Sequence, residues 1–262
     1  MKRTAIFASL LCLFLGTNFS TANDWQTAKG EHFDLHFQET DRPELAIYQP
    51  IFEKAHATVE QFFGQPFRQK FQIYLHPDRA SLDTQWQRDW QMADFKSECW
   101  MVASGVAAKL DLIAPKKWDA ESCEHRWADQ VAVQKLIAHE MAHVFHGQLN
   151  ASPDFSDVSG LDWFVEGLAV YASGQCDSAR LAPVKLAVQS GKAPAALDDF
   201  WKGKLKYGLS GSVVMYLDQR FGREKLLAQL PFNRKADLLA ALGISEEALL
   251  AGWREFLEQS RD

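Results

Sequence analysis

The sequence predicts an α+β fold in which a mixed lobe, with a small sheet and helices, is followed by a mostly helical lobe. Short segments with β-strand character are confined to the chain before about residue 114. Beyond about residue 128 the apolar residues recur at helical spacing, and the connecting segments carry Gly or Pro. We therefore expect an N-terminal lobe over about 23–127, a helical part over about 128–262, and a cleft between them.

The first 22 residues have the pattern of a signal peptide. Lys2 and Arg3 give a positive start, and the apolar run 5–16 is only 12 residues long, too short to span a bilayer. Small side chains at Ser20 and Ala22 predict cleavage after Ala22. We expect an exported protein, periplasmic or secreted, with no stable membrane span after cleavage; retention of this segment as an anchor is the alternative.

The remaining segment, 23–262, has a length typical of a single large domain. Loss of Lys2 and Arg3 changes the formal net charge from −6 to −8. The sequence contains no basic stripe, so we expect no nucleic-acid partner. The sequence does not indicate an oligomeric state.

Three cysteines follow the predicted cleavage site, namely Cys99, Cys123 and Cys176. Export permits a disulfide, and the Cys99–Cys123 pair is the first choice because it closes a loop of moderate length. The Cys123–Cys176 pair is the competing possibility, and either pairing leaves one thiol over.

Three strands are predicted in the N-terminal lobe, over 32–37, 71–75 and 109–114. Between the first two, residues 42–63 have a helical pattern that Pro50 is expected to break or kink. Strand 109–114 is a candidate edge strand, to which an extended peptide could pair, although an interior position has equal weight.

Two further segments precede the third strand. Residues 81–98 are predicted to form a short helix and a loop, and residues 100–107 either a strand or a loop with a glycine turn.

The segment 129–146 predicts an apolar helix that carries His139-Glu140-Met141-Ala142-His143. Residues four apart lie on one helix face, so both imidazoles can reach a common metal ion. Glu140 would lie beside that ion, suited to accept a proton from a bound water molecule. Gly147 follows, where a left-handed residue commonly ends a helix.

A hydrolytic zinc site usually has a third protein ligand, and Glu166 is the best candidate. It is the only acid in an otherwise apolar helical segment that ends near Gly174, and a buried carboxylate requires a cation or another partner. Gly167 would let two helices approach closely. His146 lies too far along the helix axis to join the site.

The aspartates Asp154, Asp157 and Asp162 are weaker alternative ligands. A metzincin site is excluded, because that pattern requires Gly at position 146 and His at 149, where this chain has His and Leu.

The two motifs together, HEMAH and the later WFVEGLAVY, resemble those of the gluzincin superfamily, in particular its peptidase MA-like branch. The likeness covers about residues 30–258, but only the two motifs are specific. The resemblance implies a zincin-like fold with one Zn²⁺ held by His139, His143 and Glu166. The chain departs from thermolysin-type members at Val170, where they have an acid that orients a histidine ligand.

This resemblance also implies an activity: hydrolysis of peptide bonds in a peptide or protein substrate, with Glu140 as the general base. Many gluzincins add a Tyr or His that stabilises the oxyanion, and Tyr207 is the candidate here. The alternative is a zinc-bearing protein without catalysis that binds a peptide or an envelope partner.

Overall fold

The computed structural model describes residues 25–259, so the predicted signal peptide lies outside the described residues. The architecture is α+β, as the sequence predicts, with a five-stranded sheet in the first half and helices in the second. The strands are β1 (Gln26–Lys29), β2 (Phe33–Phe37), β3 (Phe71–His76), β4 (Ala103–Val106) and β5 (Lys109–Ile113).

The sheet has the order β1-β2-β3-β5-β4, with parallel pairing in the centre and antiparallel pairing at both edges. Leu35, Ile73 and Leu110 are in register across the three central strands, and all three are buried. Parallel strands are usually covered on both faces, which explains why β5 consists of buried residues after Lys109.

The proposed edge position of strand 109–114 is wrong. β5 lies between β3 and β4, and it uses its backbone groups on both sides. β4, within the segment left open as strand or loop, forms the edge instead. A hairpin turn at 107–108 folds β4 back along β5, so the strand whose apolar residues were most evident in the sequence became the interior one.

Ten α-helices occur within residues 25–259. They are α1 (Leu45–Phe63), α2 (Arg79–Asp89), α3 (Trp118–Glu121), α4 (Gln130–Gly147), α5 (Asp162–Ala172), α6 (Ser178–Gln189), α7 (Lys206–Phe221), α8 (Arg223–Leu227), α9 (Lys235–Leu242) and α10 (Glu246–Gln259).

The expected break at Pro50 does not occur, because α1 continues through it. A proline near the start of a long helix removes one hydrogen bond, which packing of the buried face can offset.

A continuous hydrophobic core joins the sheet to the helices. α4 packs against α1, α5 and the edge strand β4, which places it in the middle of the molecule. Phe63 at the end of α1 stacks on Phe145 of α4, with ring centroids 4.0 Å apart. The predicted division into two lobes stays a prediction.

Close helix packing depends on Gly167, as the sequence suggests. A β-carbon there would lie 2.3 Å from the carbonyl oxygen of Ser210 on α7, so only glycine permits the observed approach of α5 to α7. Gly147 behaves differently from the prediction: it is the last residue of α4 and is not left-handed. It lies against the backbone of Ala107 and Pro153, and this close approach explains the glycine.

Cys99 and Cys123 form a disulfide, which confirms the first choice of pairing, and Cys176 is free. Burial raises the pKa of the Cys176 thiol to about 12, so this group stays protonated and unreactive near neutral pH. Among residues 25–259, no helix combines the length and the apolar character needed to cross a bilayer.

Candidate metal centre

The centre is built on α4, which begins at Gln130 and is capped by Asp129. The Asp129 carboxylate accepts a hydrogen bond from the backbone N–H of Ala132, as an N-terminal capping residue does. Every residue from Leu136 to Gly147 is buried, because β4, α1 and α5 surround the second half of the helix. His139, Glu140 and His143 are therefore held inside the protein at fixed positions.

Three side chains converge at one point. The Nε2 atoms of His139 and His143 lie 3.1 Å apart. The Oε2 atom of Glu166, on α5, lies 3.5 Å from the first of these nitrogens and 3.7 Å from the second. Within the described residues, this trio is the group of His, Cys, Asp and Glu side chains whose donor atoms approach closely enough to hold a metal ion.

These separations match tetrahedral coordination. Ligand atoms about 2.0–2.1 Å from a zinc ion, at tetrahedral angles, lie about 3.3–3.4 Å from one another. The three separations in this site lie on either side of that value. Two imidazoles and one carboxylate are also a donor set that hydrolytic zinc sites use, with the fourth position left open. The residues present therefore fit a zinc ion.

The electrostatics favour a cation at the same point. Burial by itself would raise the pKa of Glu166, but positive charge on His143 and hydrogen bonds with both imidazoles hold that pKa well below its usual range. Burial opposes protonation of His143, yet the Glu166 carboxylate raises the pKa of this imidazole above its ordinary value. The carboxylate is therefore ionised, and positive charge beside it is stabilised.

Glu140 is in a different environment, although it is adjacent to a ligand in the chain. Burial raises the pKa of Glu140; the two imidazoles oppose this effect, and Glu166 adds to it. A carboxylate with a raised pKa holds a proton more readily than an ordinary one, as proton transfer near neutral pH requires. Among the described groups, Glu140 has no ion-pair partner within 4 Å, which leaves its carboxylate available for a substrate or a water molecule.

The loop between α4 and α5 covers the centre from one side. Phe155 has a left-handed backbone with φ of 61°, an uncommon conformation for an aromatic residue. The Asp154 carboxylate secures this turn by accepting hydrogen bonds from Ser156. The Phe155 ring lies edge-on to His143, with centroids 6.1 Å apart, so the strained turn places an apolar wall beside a ligand.

His146 lies outside the centre, as the helix spacing predicts. Its Nε2 atom donates a hydrogen bond to the carbonyl oxygen of Leu230, and its ring lies edge-on to Phe155 and Phe164. Burial, together with positive charge on His143, lowers the pKa of His146 to about 3. His146 is therefore a neutral packing residue that fixes the end of α4.

The centre opens into a cavity of about 490 Å³. His139, Glu140, His143 and Glu166 line it, together with Tyr207. The Tyr207 ring centroid lies 6.4 Å from that of His139, so the structure brings the fifth predicted site residue to the same cavity. Burial raises the pKa of Tyr207, and Glu166 and Glu140 add to this effect, so its hydroxyl stays protonated.

The alternative ligands do not reach the centre. Asp154 stabilises its own loop, and Asp162 lines the cavity without joining the three converging donor atoms.

The orientation of the His139 ring is not fixed through Nδ1. This atom is buried and has no hydrogen-bond partner among the described residues. Within residues 25–259, therefore, no acid orients this ligand through Nδ1, and the chain has Val170 at the position noted in the sequence.

Sequence reasoning missed part of the cavity wall. Edge strand β4 and the aromatic residues Trp100 and Trp201 line it, as do two cations, Arg180 and Lys206. These residues come from separate segments and have no common motif. The one available signal was that Lys206 is adjacent to Tyr207.

The chain matches no protein-family model, and no curated protein sequence matches it. The chemistry of the site is accordingly argued from its own residues and geometry.

Proposed function

We propose that this chain is a zinc-dependent peptidase of the gluzincin type, which hydrolyses peptide bonds in a peptide or protein substrate. The observation that carries the proposal is the convergence of His139 Nε2, His143 Nε2 and Glu166 Oε2 within 3.1–3.7 Å, on the wall of a large cavity. Glu140, an acid that ligand geometry does not require, lines the same cavity. A site that only held a metal would have no need of it.

The proposed chemistry divides between the metal and the side chains. Zinc bound by His139, His143 and Glu166 would polarise both a water molecule and the carbonyl of the bond to be cut. Glu140 takes a proton from the attacking water on its carboxylate and passes that proton to the nitrogen of the leaving amine. The Tyr207 hydroxyl, which stays protonated, donates a hydrogen bond to the oxygen that gains negative charge.

The edge strand offers a means of holding the substrate. Ala103, Ser104 and Gly105 of β4 line the cavity, and β4 pairs with β5 on one side only. Its outer backbone groups can therefore pair with an extended peptide. A peptide bound in this way would pass over α4, because β4 packs directly against that helix.

We further propose that the protein acts after export. The predicted signal peptide motivates this location, and the Cys99–Cys123 disulfide supports it, because such bonds persist in oxidising compartments.

The test uses the variants Glu140→Gln and Glu166→Ala of the chain without its predicted signal peptide. Wild-type protein should bind one zinc per chain and cleave members of a peptide mixture. Glu140→Gln should keep that stoichiometry and lose cleavage, whereas Glu166→Ala should lose most of the zinc. Elemental analysis and mass spectrometry of the peptide mixture provide the two measurements.

Three results would contradict the proposal. Equal cleavage by wild type and Glu140→Gln would show that Glu140 is not the general base and that the observed cleavage does not come from this site, so the peptidase proposal would be rejected. Unchanged zinc in Glu166→Ala would show that the third ligand lies elsewhere. Zinc binding with no cleavage by either protein would favour the alternative of a non-catalytic binding protein.

A further inference from the structure

One wall of the cavity carries two positively charged side chains beside Tyr207. Arg180 belongs to the first turn of α6, and Lys206 is the first residue of α7. The Arg180 guanidinium carbon and the Lys206 Nζ atom each lie 5.1 Å from the centroid of the Tyr207 ring. Both side chains are half-buried, and both line the cavity.

Aromatic rings hold the Lys206 ammonium in place. Its Nζ atom lies 4.6 Å from the ring centroid of Trp100 and 4.4 Å from that of Trp201, in addition to Tyr207. Three rings from three chain segments therefore surround one cation, each attracting it electrostatically. Ring faces accept no conventional hydrogen bond, so the N–H groups of this ammonium remain available to an acceptor.

Neither cation has an ion-pair partner within 4 Å among the described residues, although Asp177 attracts the Arg180 guanidinium at longer range. Beyond the ring contacts, the charged groups of Arg180 and Lys206 make no hydrogen bond or ion pair within residues 25–259. Glu124 lines the same cavity, yet it lies outside ion-pair distance of both. Gln175 lies on this wall too and adds an amide that can donate a hydrogen bond.

The cationic wall lies close to the metal centre. The Tyr207 ring centroid lies 6.4 Å from that of His139 and 5.1 Å from each charged group, so either charged group is no more than about 11.5 Å from the His139 ring. Roughly three residues of an extended chain span that distance. A planar guanidinium and an ammonium with free donors suit a carboxylate, for which Arg offers paired N–H groups.

We propose that Arg180 and Lys206 bind a carboxylate of the substrate, located within about three residues of the bond that is cut. This inference rests on the proposed peptidase function, and it narrows the substrate class. The carboxylate is either the carboxyl terminus of the peptide or the side chain of an Asp or Glu. Both sources present the same group to the same wall.

The experiment measures binding separately from cleavage. Zinc-loaded Glu140→Gln protein is titrated with acetylated hexapeptide mixtures, and the fluorescence of its tryptophans reports binding. One mixture has a free carboxyl terminus, a second has an amide terminus, and a third has an amide terminus with Glu fixed at each position in turn. A fourth mixture, with Gln in place of that Glu, is the matched comparison.

The expected result is binding at least roughly tenfold tighter for one carboxylate-bearing mixture than for its uncharged match. Preference for the free terminus identifies an enzyme that acts near carboxyl termini, and preference for the Glu mixture identifies an acidic side chain. Equal binding of charged and uncharged mixtures overturns the inference.

Two substitutions test whether Arg180 and Lys206 cause the preference for the carboxylate. Arg180→Met and Lys206→Met, each in the Glu140→Gln background, should remove the preference for the charged mixture. Lys204→Met is the control, because Lys204 is exposed and lies outside the cavity. A preference that survives both substitutions overturns the inference. Because Arg180 also packs on Gly208, Lys206→Met gives an independent reading if the first variant is unstable.

The two proposals can fail separately. If the wild-type protein cleaves peptides but binding does not depend on a carboxylate, the peptidase proposal is supported, and the proposal that Arg180 and Lys206 bind a carboxylate is rejected. Carboxylate-dependent binding that Lys206→Met abolishes, with no cleavage by wild type, would reject the peptidase and retain the binding site.

Discussion

Gly105 lies directly against the backbone of Glu140. A β-carbon at Gly105 would fall 2.2 Å from the carbonyl oxygen of Glu140 and 3.3 Å from the β-carbon of His143. The backbone amide of Gly105 also lowers the pKa of the Glu140 carboxyl group, against the larger opposing effect of burial. The edge strand and the helix of the metal centre therefore meet without any side chain between them, and this contact sets the position of the proposed base relative to a peptide held along β4.

Gly105→Ala should destabilise the fold and weaken activity together. The added methyl group must push β4 away from α4, and overpacking of this kind costs about 1–3 kcal/mol. Denaturation by urea measures the loss. Ser104→Ala, on the same strand, is the matched control and should have little effect. Equal stability of the two variants would show that the strand and the helix can separate without cost.

Tyr207→Phe should reduce kcat on the order of 100-fold while leaving the zinc content unchanged, because removal of one oxyanion donor has an effect of that size. Tyr171→Phe is the control: that hydroxyl bonds to Asp218, away from the metal centre. Steady-state kinetics and elemental analysis provide the measurements. A full kcat in Tyr207→Phe would reduce this residue to a packing role.

The buried imidazole of His146 should make the protein less stable in acid. Its pKa is lowered from 6.5 to about 3, chiefly by burial, so between these values the unfolded chain binds a proton that the folded chain does not. Above pH 6.5 the imidazole is neutral in both states, and the free energy of unfolding does not depend on it. As the pH falls from 6.5 towards 3, the free energy of unfolding decreases by about 1.4 kcal/mol per pH unit.

His146→Gln keeps an N–H donor for Leu230 and removes the titration. Below pH 6.5 its free energy of unfolding should fall less steeply with pH than that of the wild type, whatever the two values at neutral pH. Urea denaturation between pH 4.5 and 7.5, in the presence of zinc, measures both slopes. Parallel curves for the two proteins would mean that the imidazole becomes protonated without unfolding.

The Cys99–Cys123 disulfide should stabilise both the fold and the cavity wall. The two cysteines are 24 residues apart in sequence. In the chain-entropy description, a disulfide that closes a loop of this size adds about 3–4 kcal/mol to the free energy of unfolding. Trp100, which follows Cys99, and His125, two residues after Cys123, line the cavity, and His125 bonds to the backbone of Trp100. The double variant Cys99→Ser/Cys123→Ser should therefore unfold at lower urea concentration and cleave peptides more slowly.

Cys176→Ser serves as the control for that variant, because Cys176 is free and distant in sequence from the disulfide loop. Its denaturation midpoint should stay close to that of the wild type. A double variant as stable as this control would show that the 99–123 loop is held by other contacts, such as those that Arg79 makes with the backbone of Cys99 and Met101.

Much of the fold follows from local pattern. The strand at 71–76, the helix ending at Phe63 and the two helices of the metal motifs have periodic apolar residues that specify their type. The neighbours of each strand were harder to predict, because β5 and β4 differ in position by pairing alone. The break expected at Pro50 does not occur for a similar reason: local preference opposes a proline within a helix, and packing of the buried face overrides it.

The centre itself was predictable to the degree that its residues share a short spacing or lie in a distinctive apolar helix. His139 and His143 are four residues apart, and Glu166 is the only acid in the apolar run 163–171. Phe155 gave no such signal, because its left-handed conformation is imposed by the loop. Arg180 and Lys206 could not be paired in advance, since charged side chains on separate helices acquire a common role only after the helices pack.

The sequence by itself determined which side chains are available to a metal ion, because helix periodicity places residues i and i+4 on one face whatever lies around them. Only the tertiary structure decided that Glu166 meets the two imidazoles, that β4 and not β5 forms the edge beside Glu140, and that two cations line the same cavity. Local geometry is fixed by neighbouring bonds and hydrogen bonds. Contacts between distant segments depend on how apolar faces are buried together, which no short window of residues specifies.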